Sequence, residues 1–162
     1  MNVVMSIDGV LRDPSGVLKT EGLLLYKMMK ATCRVVLLSS MSLDMATAWL
    51  AMNHIADYDD IISPVPGLEG YDLTIRQIEI ARSQGEVSYY MDDDPAVITE
   101  ALRQGICSLL FVPTIYGRPE FRPDARKGFR KSWAQITEEK TRQLAMKAAD
   151  NRINRQDDTR FD

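Results

Sequence analysis

Five short apolar runs separated by segments of helical spacing are the feature of this 162-residue chain that most limits its fold. The runs are Asn2 to Ser6, Arg34 to Ser39, a short Asp60 to Ser63, Val87 to Met91, and Cys107 to Val112. Runs of this kind read as strands covered on both faces, and strands that alternate with helices form a parallel sheet between helical layers. The expected fold is therefore α/β: a three-layer, Rossmann-like domain with a five-stranded parallel sheet flanked by helices.

Local signals place the helices. One is expected from Glu21 to Ala31 with Thr20 as N-cap, and a second from Leu43 to Ile55 behind Ser42, with Met45, Trp49 and Met52 as its inward stripe. A third runs from Leu73 to Ser83, with Ile75, Ile78 and Ile80 inward, and stops before Gly85. The fourth spans Pro95 to Gln104, with Asp94 as N-cap, Pro95 at the first helical position and Gly105 as C-cap. The domain is expected over residues 1–112. After it, "PTIYGRPEFRPDARKGFRKSW" has three prolines, two glycines and no periodicity. Residues 113–131 therefore read as an extended segment wrapping the domain. Ser132 and Gln135 fit a capping box for a helix over 132–150, and 151–162 reads as a flexible polar tail.

Composition excludes several classes. Apolar residues are 45% and charged residues 27% of the chain, an ordinary soluble balance, and no run is long enough to span a bilayer. Asp8 interrupts the first apolar stretch and no basic segment precedes it, so no signal peptide is expected. Cys33 and Cys107 lie in apolar contexts without metal-ligand spacing and read as reduced, buried thiols of a cytoplasmic protein. A net charge of -3 argues against a general nucleic-acid binder. The lone His54 has nothing beside it to complete a triad and reads as a surface or capping residue.

In open parallel sheets ligands bind outside the carboxyl ends of the strands. Here those ends deliver Ser6 and Asp8, Ser39 and Ser40, and Asp92 and Asp93 to one edge. Oxygen donors of this kind suit a hard cation such as Mg²⁺, which keeps waters and a phosphate in its shell. Gly9 lets the chain turn tightly after Asp8, while the Ser39 hydroxyl and local backbone amides can hold phosphate oxygens. Taken singly, each residue also has an ordinary use as a turn residue or helix cap.

Three segments carry a resemblance to the haloacid dehalogenase-like (HAD) superfamily. "VVMSIDGV" resembles the first motif, an apolar strand with Asp-x-Asp-Gly, except that Ser6 holds the first Asp position. "RVVLLSS" resembles the second motif through Ser39, and "VSYYMDDDPAVITEALRQGICSLLF" resembles the fourth. The resemblance covers residues 1–112, reads "DGVLRDPSGVLKTEG" as a flap, and implies a capless, minimal member, similar in style to HAD-like proteins of bacteriophages. It implies an acid/base role for Asp8 with a metal contact through its backbone carbonyl, metal binding by Asp92 and Asp93, and Mg²⁺ as cofactor. Ser6 takes the place of the attacking carboxylate, and a neutral hydroxyl is a weak nucleophile unless a base or metal activates it. The family's third-motif Lys has no counterpart between Lys30 and Lys127, which leaves Arg76 as the expected substitute.

The leading expectation is thus a phosphatase-like pseudoenzyme that retains some metal and phosphate binding and acts by binding a phosphorylated small molecule, a nucleotide or a protein. An active Mg-dependent phosphohydrolase on phosphate monoesters or nucleotides, using Ser6 or a water positioned by Asp8, is the alternative. A third reading is a nucleic-acid-associated module. It rests on residues 117–131, where Arg118, Arg122, Arg126, Lys127, Arg130 and Lys131 interleave with Phe121 and Phe129. The acidic balance of the chain favours a structural use instead, with Phe121, Phe129 and Trp133 pinning the wrapping segment.

Overall fold

A computed structural model describes residues 1–112 and positions 138, 141–142, 144–146 and 148–149, which are helical. The basic segment 117–131 and the Ser132/Gln135 capping box lie outside the described residues. The chain divides into two compact units, Met1–Phe111 and Val112–Asp162.

In the first unit the elements alternate strictly: β1 (Asn2–Ser6), α1 (Thr20–Lys30), β2 (Arg34–Leu38), α2 (Leu43–Met52), β3 (Asp60–Ile62), α3 (Gly70–Gln84), β4 (Tyr89–Asp92), α4 (Pro95–Arg103) and β5 (Cys107–Leu110). The sheet is parallel throughout, in the order β3-β2-β1-β4-β5. The chain builds outward from β1 to β3, then returns across the sheet to β4, so strand order reverses between β1 and β4. Right-handed crossovers in the two directions place α1 and α2 on one face and α3 and α4 on the other.

The strand residues sort accordingly. Val3, Met5, Val35 and Leu37 pack with Tyr26, Ala46, Trp49 and Leu50, whereas Val4, Val36, Leu38 and Tyr90 pack with Ile78, Ala81, Val97 and Ile98. Successive side chains of a strand point to opposite faces, and both faces are covered, which is why the runs lack polar alternation. Between β1 and β2 lie only a flap and α1, and residues 63–69 join β3 to α3, so no cap domain interrupts the described residues. The fold is a three-layer, Rossmann-like α/β fold. No helix of the described residues is long and apolar enough to cross a membrane.

Several local expectations are corrected. Met45 and Met52 are 62% and 72% exposed, because the inward face of α2 is formed by Ala46, Trp49 and Leu50. Lys19 rather than Thr20 is the N-cap of α1, without a side-chain capping bond. The last residue of the second predicted helix, Ile55, lies beyond α2, which ends at Met52; His54 there is exposed and has φ 57°. α3 begins at Gly70, a turn before Leu73, and its buried residues are Leu73, Gln77, Ile78 and Ala81, with Ile75 and Ile80 only partly buried. Both thiols are free, but only Cys33 is buried; Cys107 is exposed on the edge strand β5.

Candidate functional site

Met5 lies opposite Met91 across β1 and β4, so Ser6 and Asp92 end their strands side by side at the point where strand order reverses. A cavity of about 450 Å³ opens there, and Ser6, Asp8, Ser39, Ser40, Asp92 and Asp93 all line it. Six of the seven site residues expected from the sequence are thus brought together.

The β1 end is a tight turn. Leu11 and Arg12 both donate their N–H to the Ile7 carbonyl, at 3.0 and 2.8 Å, and Gly9 N–H returns to the Arg12 carbonyl at 2.9 Å. Gly9 has φ 88°, and a Cβ there would fall 2.0 Å from Asp93 Oδ1, so glycine alone fits between the two strand ends. The turn carries Arg12 back to the site, where its Nη1 donates to Asp8 Oδ1 at 3.0 Å. The other Asp8 oxygen accepts from the Ser40 N–H at 3.1 Å and the Ser40 hydroxyl at 2.5 Å. Ser6 Oγ donates to the main-chain carbonyl of Asp8 at 2.9 Å.

The flap beyond this turn is fastened on all sides. Asp13 Oδ1 accepts from Ser15 N–H, Ser15 Oγ and Val17 N–H at 2.9, 2.7 and 2.9 Å. The Trp49 indole N–H donates to the Gly16 carbonyl at 2.8 Å, and the Lys19 ammonium donates to the Gly9 carbonyl.

At the β2 end the Ser39 hydroxyl is 1% exposed and committed to Met41, donating to its carbonyl at 3.2 Å and accepting from its N–H at 3.0 Å. Gln77 ties this end to α3 by donating to the carbonyls of Ser39 and Ile62 at 2.7 and 2.9 Å.

At the β4 end Asp92 is 4% exposed. Its Oδ2 accepts from the Tyr90 hydroxyl and its Oδ1 from the Asp94 N–H at 2.9 Å. Burial pushes the Asp92 carboxyl up to about 7; its two hydrogen bonds oppose the rise and the neighbouring Asp93 and Asp94 charges add to it. The Tyr90 phenol is raised well above its ordinary range, first by burial and then by the Asp92 charge. Asp94 caps α4 by accepting from the Ala96 N–H at 2.8 Å.

Arg76 is the site residue that the fold does not deliver. It points away from the inward face of α3, and its exposed guanidinium pairs with Glu79 at 2.7 Å. The guanidinium in the cavity wall belongs to Arg12 instead. Sequence reasoning also passed over Tyr90 and Gln77. Tyr90 sits two residues before Asp92 on one strand, a spacing that puts both on the same face, and Gln77 lies one turn after Leu73 on the inward face of α3.

The residues present do not fit a dedicated divalent-cation site. Among the described residues, no group of three or more His, Cys, Asp or Glu comes together around a common point. Position 6 offers a neutral hydroxyl, a weaker ligand for a hard cation than a carboxylate, and that hydroxyl donates to the Asp8 carbonyl. Both carboxylate oxygens of Asp8 and of Asp92 are hydrogen-bonded within the protein.

No protein-family model and no curated protein matches the chain. Among solved structures it is similar to a chain of the Pnkp1/Rnl/Hen1 RNA repair complex, at TM-score 0.55 and 22% identity over 67% of this chain and 41% of that one. A second structure of the Pnkp1/Rnl/Hen1 complex gives TM-score 0.55 and 21% identity over 67% of this chain and 45% of that one. The core domain of a provisionally assigned phosphoglycolate phosphatase from Streptococcus pneumoniae TIGR4 gives TM-score 0.45 and 15% identity over 72% of this chain and 82% of that one. The chain spans less than half the length of the two repair-complex chains it matches. At these identities the repair-complex likeness is one of fold alone: a three-layer α/β scaffold.

Proposed function

We propose that this protein is a phosphatase-like pseudoenzyme that acts by binding, with the cavity at the β1/β4 edge as its recognition site for a phosphorylated small molecule, nucleotide or partner. The observation that carries the reading is the state of Ser6. Its hydroxyl donates to the Asp8 main-chain carbonyl, which is no base, so nothing in the site draws off its proton. The carboxylate beside it, Asp8, accepts from Arg12 and Ser40 and is not turned to the Ser6 hydroxyl. In other enzymes, loss of a covalent nucleophile lowers the rate by about 10⁴ to 10⁶.

A turnover assay with p-nitrophenyl phosphate and nucleoside monophosphates, run on wild type and on Ser6→Asp, tests this. The expected result is no wild-type turnover above background and measurable turnover in Ser6→Asp. Substantial wild-type turnover that Asp8→Asn abolishes would overturn the reading and support a working phosphohydrolase. The likeness to chains of an RNA repair complex supports a second reading, a nucleic-acid-associated module. Retention of single-stranded RNA that weakens steeply with salt would favour it, and no retention at low salt would end it.

A further inference from the structure

We propose that the guanidinium of Arg12 is the built-in counter-ion of Asp8 and stands in for a divalent cation, so that the cavity takes an anionic group without a metal. The inference rests on reading this cavity as the phosphate site of the fold.

Position comes first. Arg12 lies in the cavity wall, 3.0 Å from Asp8 Oδ1, and the two side chains are only 26% and 34% exposed, so solvent and salt screen the pair less than a surface ion pair. Its backbone is fixed on both sides, with the N–H on the Ile7 carbonyl and the carbonyl on the Gly9 N–H. The side chain is therefore aimed at Asp8 by the turn.

The hydrogen-bond inventory agrees. Arg12 Nε is buried without a partner, an uncommon state that carries a free-energy cost. A side chain placed for hydrogen bonding alone would avoid that cost. An ionic contact with Asp8 offsets it.

Charge counting gives the third argument. Relative to a site with a carboxylate at position 6, Ser6 removes one negative charge and Arg12 supplies one positive charge. Together they shift the balance by two positive charges, of which the absence of a Lys between Lys30 and Lys127 takes back one, so the site is less negative without any metal. Among the other carboxylates of the wall, Asp92 has Tyr90 and the Asp94 N–H as structural partners, Asp94 has the Ala96 N–H, and Asp13 has its own turn.

The test is a Mn²⁺ titration followed by the electron paramagnetic resonance of the free ion, on wild type, Arg12→Gln and Arg12→Lys, with thermal melts to verify folding. Wild type and Arg12→Lys are expected to bind Mn²⁺ weakly and alike. Arg12→Gln, which frees Asp8 from a positive neighbour, is expected to bind it at least about tenfold tighter. Tight wild-type binding, or no gain in Arg12→Gln, overturns the proposal. Binding of inorganic phosphate is then compared in EDTA and in Mg²⁺. Equal binding supports the proposal, and binding only in Mg²⁺ overturns it while leaving the proposed recognition site standing. No binding in either condition overturns both.

Discussion

The ends of β1 and β4 lie side by side, yet they treat their acidic positions in opposite ways. At β4 both Asp92 and Asp94 are present, and each has structural work: Asp92 accepts from Tyr90 and from the Asp94 N–H, and Asp94 caps α4. At β1 the position whose carboxylate would serve chemistry holds Ser6, and the neighbouring Asp8 pairs with Arg12 and Ser40. Asp92 and Asp94 hold the edge together through hydrogen bonds, whereas on the reading proposed above position 6 lacks the carboxylate that covalent attack on phosphorus would use.

The largest effect should come from forcing the two ends apart. Gly9→Ala combines an unfavourable φ with a Cβ inside the Asp93 carboxylate. A loss of about 2–4 kcal/mol is expected in chemical denaturation. A loss below about 0.5 kcal/mol would mean that the ends are not packed as described.

The β4 end should reveal itself through pH. The folded Asp92 carboxyl sits near 7, above its ordinary value of 3.8, so the folded state holds the proton more tightly than the unfolded state. This contribution is fully present below about pH 4 and is lost as pH rises towards about 7, by on the order of 1–3 kcal/mol. Asp92→Asn should flatten that slope in melts taken between pH 5 and 8. Asp59 does not confuse the window: Lys30 lowers its carboxyl below 3.8, so its contribution is lost only under more acid conditions. An unchanged slope in Asp92→Asn would remove the contrast drawn for β4.

Ser6→Ala should have the smallest effect. It deletes one partly buried hydrogen bond to a carbonyl, and a change of less than about 1 kcal/mol is expected by denaturation. A larger loss would give Ser6 the structural standing that Asp92 has.

Much of this was legible in the sequence. Five strands, and six polar residues at three strand ends, follow from patterning alone, because in a parallel sheet a strand end is also a position at the site. The burial expected of all five holds for β1, β2 and β4 but not for the edge strands β3 and β5. Arg12 was not legible in this way. Its return to Asp8 depends on the turn in which two amides share the Ile7 carbonyl, and no periodicity encodes that turn. Arg76 misled because a basic residue on a helix before β4 looks suitable until the inward face of α3 is known. Met45 and Met52 misled for a related reason: apolar spacing offered more than one stripe, and packing selected Ala46 and Leu50 with Trp49.

The central claim, that chemistry is missing at position 6 while the scaffold remains, is most directly tested with beryllofluoride, which attaches to a carboxylate as an acyl-phosphate mimic. ¹⁹F NMR of wild type and Ser6→Asp in beryllium, fluoride and Mg²⁺ should show a protein-bound signal in Ser6→Asp alone. A bound signal of equal intensity in the wild type would contradict the account.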